Sequence, residues 1–232
     1  MFTPYPYTAI PPGVTPRWRR TSSGTALSVG LDTVKDFVNR PREDSFWDAE
    51  LTSFIAVATA EIERECSLSL TAGVFRVTVP AFQDRIKLSQ YRPFLDVTGI
   101  EYVDAETGEI ETLASSVYHA LTVDQECGMV FLGDGQSWPV AARRHDAVRI
   151  TVRAGFAVDE TDEEAGYLPR PSEVTHALLM TIAALDSGRG DSSGSVSSNT
   201  TVYAMKNSRG GGIIPPEAIA LLRGWKYRWV TA

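Results

Sequence analysis

The stretch from about Ala72 to Phe156 constrains the fold more than any other, because it consists almost wholly of short runs rich in Val, Ile, Tyr and Phe. The runs are VFRVTV, DRIKLS, VTGIEYV, VYHALTV, GMVFLG and AVRITVRAG, and several alternate apolar and polar residues. A period of two places one set of side chains in a core and the other in water, as in a half-buried strand. Turn chemistry separates the runs: AETGE follows Asp104, and GDGQ covers Gly133 to Gln136. The block therefore predicts an antiparallel subdomain of about six strands.

Helical patterns flank it. LDTVKDFVNRP puts Leu31, Val34 and Val38 on one face and stops at Pro41, while Asp44 is placed to cap a longer helix that runs to about Cys66. In that helix Leu51, Phe54, Ile55, Ala58 and Ile62 form one apolar stripe, with Glu50, Glu61, Glu63 and Glu65 off it as a solvated face. After the acidic loop DETDEEAG, Pro171 suits a first helical turn, and Val174, Ala177, Leu178, Thr181, Ile182 and Leu185 make the next stripe. The chain ends on PPEAIALLRGWKYRWV, with Ala218, Leu221, Leu222, Trp225 and Trp229 on one side of an expected helix. Strands inserted between helices give an α+β class, a bundle of about four helices carrying an antiparallel β-subdomain.

Two soft segments complete the layout. Residues 1–24 carry Pro4, Pro6, Pro11, Pro12 and Pro16, which fix φ and remove donors, so an extended arm is expected, with Tyr5, Tyr7 and Trp18 as anchors on a neighbouring subunit. Residues 187–214 are a Ser/Gly-rich stretch far longer than a helix connection needs. Its one run with strand character is Thr200, Thr201, Val202, Tyr203, Ala204 and Met205, expected to pair with an edge strand or pack on a neighbouring chain. The resulting division is an extended arm (1–24), one helical half (25–71), the β-insert (72–156), the other helical half (157–186), a flexible loop (187–214) and a C-terminal helix (215–232).

Composition excludes more than it selects. Of 232 residues 43% are hydrophobic and 22% charged, the values of an ordinary globular protein, and the net charge of −7 disfavours nucleic-acid binding through a strongly basic surface. No apolar run approaches the roughly 18 residues of a membrane span, and the N-terminus lacks the basic-then-apolar order of a signal peptide, so no membrane partner and a cytoplasmic site of assembly are expected. Cys66 and Cys127 are too few for a disulfide framework or a cysteine-based zinc site.

Catalytic patterns are weak throughout. His119, His145 and His176 fall in different elements with no HExxH. The Asp159 to Glu164 cluster lacks the alternating ligands and glycine of a calcium loop. Arg209 to Ile213 is glycine-rich, yet no Gly-Lys-Ser/Thr follows. Asp84 and Lys87 resemble a nuclease carboxylate-lysine pair only faintly, Arg189-Gly190-Asp191 is a short string that chance supplies, and no GxSxG elbow is present. The expectation is no catalytic site, no metal and no cofactor.

Taken in order, ALSVGLDTVKDFVNRPRED, DAELTSFIAVATAEIERECSLSL, FRVTVPAF, the hairpin marked by Pro93, Leu95, Val97, Thr98, Ile100, Tyr102 and Asp104, Ser137-Trp138-Pro139, the run Val148 to Gly155, and LPRPSEVTHALLMTIAALD form a pattern. It resembles the head-tail connector, or adaptor, proteins of long-tailed bacteriophages and gene transfer agents, from about Ala26 to Ala184 and more loosely over the last helix. Three departures stand out: Cys66-Ser67 where the family has threonine-glycine, a longer N-terminal arm, and a much longer Ser/Gly loop. The resemblance implies a homo-oligomeric ring, usually dodecameric, in the virion neck. It sits beneath the portal protein, extends the DNA channel, helps retain the packaged genome, and offers a platform to stopper or tail-completion proteins. It also implies a non-enzymatic role, with packaged double-stranded DNA passing without sequence-specific binding. In that family the C-terminal segment docks into the portal, which here assigns Leu221, Leu222, Trp225, Tyr227 and Trp229. The charge of −7 per subunit has two readings, a negative channel along which DNA slides or simple solubility. The competing readings are a stopper or other tail-completion protein, a β-rich ligand-binding module such as a carbohydrate-binding domain, and a small hydrolase with an unrecognised site.

Overall fold

The computed structural model describes residues 16–22, 27–123, 127–187 and 213–225. They divide into a strand-rich unit, Met1–Ser23 with Gly73–Ala154, and a helical unit, Gly24–Ala72 with Gly155–Ala232. The class is α+β.

In the strand-rich unit the six expected runs are strands: β2 (Gly73–Val79), β3 (Arg85–Leu88), β4 (Phe94–Val103), β6 (Tyr118–Val123), β7 (Cys127–Leu132) and β8 (Val148–Ala154). Two more are present that patterning did not supply, β1 (Arg17–Arg20) and β5 (Ile110–Thr112). They form an antiparallel five-stranded sheet in the order β1-β2-β8-β4-β5 and an antiparallel three-stranded sheet in the order β3-β7-β6. Period-two alternation drives the burial: Phe75, Val77 and Val79 of β2 and Val148, Ile150 and Val152 of β8 enter one core, which Ile86, Leu88 and Val130 of the small sheet also join. Strand β4 changes register with β8 between Phe94 and Asp96 and again between Val97 and Gly99, bulges that bend it. The turn after β4 is held by Asp104, whose carboxylate accepts from the amides of Glu106 (2.8 Å) and Thr107 (2.9 Å).

The helical unit contains α1 (Leu31–Phe37), α2 (Asp48–Cys66), α3 (Glu160–Glu164), α4 (Ser172–Ser187) and α5 (Pro216–Leu221), the last followed by a single 3-10 turn, Leu222–Gly224. Its core is built from the predicted stripes: Leu51, Ile55, Ala58 and Ile62 of α2 meet Val174, Ala177, Leu178 and Ile182 of α4, with Val34, Ala218 and Leu222 completing it. Thr181 is wholly buried but satisfied, its hydroxyl donating to the Ala177 carbonyl at 2.8 Å. Arg40 ties the end of α1 to α4 by a two-pronged pair with Asp186 (2.8 and 3.0 Å) and lies over the Trp47 ring.

Three local expectations are corrected. Asp44 does not cap α2: its carboxylate accepts from the Phe46 amide, the chain makes turns through Ser45, and the helix begins three residues later with Trp47 at its N-cap. The acidic stretch is not all loop. Asp159 accepts from the Asp162 amide at 3.0 Å and so caps α3. Strands β9 (Phe156–Ala157) and β10 (Leu168–Pro169) form a small parallel pair on either side of it. Lastly, the described part of the C-terminal helix tightens after Leu221, so the buried line runs through Ala218 and Leu222 while Leu221 stands off it, 38% exposed.

Candidate interaction surfaces

The groups able to carry chemistry are scattered. His119 lies at a tilt to the Phe131 ring in the strand-rich unit, and His176 meets the edge of Phe37 in the helical unit. Cys66 is buried in the helical unit, and Cys127 is half-buried on β7. Among the described residues no three His, Cys, Asp or Glu side chains gather as a metal site would require, and no helix is long and apolar enough to cross a membrane. Lys87 projects into water from β3.

Titration is perturbed where carboxylates meet hydrogen-bond donors. The Tyr102 hydroxyl donates to Glu111 Oε2 at 2.6 Å, and with burial this lifts its pKa to about 12. Asp146 is held down at about 2, chiefly by its hydrogen bonds from Arg144 and, at 3.1 Å, from Arg149. Burial lowers Arg170, whose guanidinium donates to the Leu70 carbonyl and to Thr175 Oγ1. These are internal braces of each unit.

The residues expected to meet partners divide. Trp18 lies on β1 with its ring against Phe75 and Tyr91, so its own unit already occupies it. Leu222 is fully buried in the helical core, and Trp225 packs edge-on to Phe156 with its indole N–H 3.4 Å from Glu173 Oε1. Among the described residues of the expected docking set, Leu221 alone is displayed. Tyr5, Tyr7, Thr200, Thr201, Val202, Tyr203, Met205, Tyr227 and Trp229 lie outside the described residues.

One surface escaped the sequence reading. On β1, Trp18 and Arg20 face the core, which turns Arg17 and Arg19 to solvent. The register then sets Arg17 beside Thr78 and Arg19 directly opposite Arg76, with Arg149 next to Thr78 and Arg153 next to Val74 on the following strand. Five arginines thus share one sheet face. Arg153 is braced by Asp96 (2.8 and 2.5 Å) and Arg149 by Asp146. Arg17, Arg19 and Arg76 are exposed, and their guanidinium groups meet no carboxylate among the described residues.

No family model matches this chain, and no curated protein does. Solved structures do match, at low identity and nearly full length. A chain from the neck of an empty gene transfer agent (GTA) particle computed with C6 symmetry aligns with TM-score 0.66 and 18% identity, covering 93% of this chain and 98% of that one. A chain from the virion of a native GTA particle gives 0.64 at 17% identity, and one from the neck of a native GTA particle computed with C12 symmetry gives 0.59 at 20%, with the same coverage. The likeness is one of fold. It spans the strand-rich and the helical unit alike, since only a small fraction of either chain falls outside the alignment.

Proposed function

We propose that this chain is a structural component of the neck of a phage-like or gene transfer agent particle, assembled as a homo-oligomeric ring, and that within the neck it is the adaptor beneath the portal. The observation that carries this reading is a shared fold over 93% of this chain and 98% of chains from GTA necks, in particles described with sixfold and twelvefold symmetry. A coincidental domain match would leave one unit unaligned. The helical unit builds the ring, which extends the DNA channel. The segment from Pro215 onward docks into the portal, with Leu221 presented while Ala218 and Leu222 hold α5 on its own core. Thr200 to Met205 pairs with an edge strand or packs on a neighbouring chain. The role is mechanical.

The test is to mix the purified full chain with the portal protein of the same particle and follow the mixture by sedimentation and negative-stain imaging. Rings capping the narrow end of the portal are expected. A chain that stays monomeric and unbound while the portal is intact contradicts the adaptor role, and binding only to a completed head and neck reassigns it to a later position such as the stopper.

A further inference from the structure

We infer that the solvent face of β1, β2 and β8 is a contact surface for the phosphate backbone of double-stranded DNA. It rests on the neck reading only for the identity of the polyanion. The argument begins with an energetic oddity. Like charges directly opposite on neighbouring antiparallel strands destabilise a sheet, yet Arg19 and Arg76 stand as such a pair with Arg17 two residues along the same strand. Carboxylates brace the two half-buried arginines of this face, Arg149 and Arg153, and leave the three exposed ones uncompensated. This concentration of positive charge sits on a chain whose net charge is −7, so it does not follow from composition.

The neighbours of the three arginines select the kind of partner. Between them stand Thr78, Val74 and Thr151, and β1, β2 and β8 carry no large exposed apolar side chain. A protein interface would place an apolar or aromatic anchor at its centre, whereas a polar, wet, positively charged surface suits nucleic acid. Guanidinium forks match phosphate oxygens and carry no sequence information when they do so. The contact is therefore weak, sequence-independent and salt-sensitive.

The experiment measures binding of the full chain to a fluorescently labelled duplex by anisotropy across about 50–200 mM salt. Three neutralised phosphates predict a slope of log K against log salt of about −3, equal for unrelated sequences. Arg17→Gln/Arg19→Gln/Arg76→Gln removes most of that slope and weakens low-salt binding by about tenfold or more, whereas Arg64→Gln, a charge change on the exposed face of α2 in the helical unit, leaves both as they were. Should the triple variant misfold, Arg17→Gln alone, which has no arginine across the strand, lowers the slope by about one. Equal binding by wild type and triple variant, or no binding at the lowest salt, overturns the inference. Displacement by polyglutamate as effective as by unlabelled duplex also overturns it, in favour of an acidic protein segment. Ring formation is read separately by sedimentation, so wild-type rings that bind no duplex refute this surface alone.

Discussion

Gly155→Ala should cost far more than a glycine-to-alanine change usually does. Gly155 has φ +110°, and a Cβ built on it would lie 2.2 Å from the Thr71 carbonyl oxygen, 2.9 Å from its carbon and 3.0 Å from Ser69 Oγ. The obstacle is backbone, and it is pinned: Ser69 Oγ donates to that oxygen at 2.9 Å, and the Phe156 amide donates to the Ser69 carbonyl at 3.2 Å. Retreat would break both bonds in a buried segment. Left-handed strain contributes roughly 1–3 kcal/mol and overpacking a similar amount, so the sum is about 2–6 kcal/mol out of the ~5–15 that holds an ordinary domain together. Gly166 separates the two contributions, because it has φ +90° with nothing within 4 Å of its would-be Cβ. Gly166→Ala pays the strain alone, and the difference between the variants is the clash, about 1–3 kcal/mol. Urea unfolding followed by tryptophan fluorescence measures it, since Trp47 and Trp225 both report on the helical unit. Two variants within about 0.5 kcal/mol of each other would refute the close approach at Thr71.

Ser67 ends α2 at φ +52°, a left-handed position that glycine occupies without penalty; Ser67→Gly should add about 1 kcal/mol and raise Tm by about 2–4 °C in a thermal melt. Because the Tyr102 phenol is raised from 10.0 to about 12, its bond to Glu111 stabilises fully below pH 10 and is lost as pH rises through 12; Tyr102→Phe should cost about 1 kcal/mol at neutral pH and flatten stability across that window. Asp146 shows the opposite sign: lowered from 3.8 to about 2, it stabilises above pH 3.8 and loses that contribution as pH falls toward 2. Asp146→Asn should therefore remove part of the acid limb of a denaturation profile. Leu178→Ala, at the fully buried contact of α4 with α2, should cost about 2–5 kcal/mol in the same unfolding assay.

The elements that could be read from sequence are those whose pattern is local. Six strands and the stripes of α2 and α4 emerged because a period of two or 3.6 is written within each segment. What stayed hidden depends on pairing across the chain. Arg17–Arg20 sits in a proline-dense region and reads as an arm; it becomes a strand only because β2 offers it a free edge. The same pairing hid the arginine face, since β1, β2 and β8 are far apart in sequence and net charge sums over the whole chain. At the C-terminus the apolar pattern marked Leu221 and Leu222 alike. The 3-10 turn beginning at Leu222 decided between them, burying one and displaying the other. At Asp44, a side chain suited to capping found a nearer amide, a competition that composition does not report.

The central claim is a position in a particle, and locating the chain there tests it most directly. A short peptide tag inserted in the exposed turn at Thr107, between β4 and β5, can be labelled in purified particles and imaged by electron microscopy. The account predicts a ring of label at the junction of head and tail. Label distributed over the capsid or along the tail, or particles that lack the chain altogether, would contradict it.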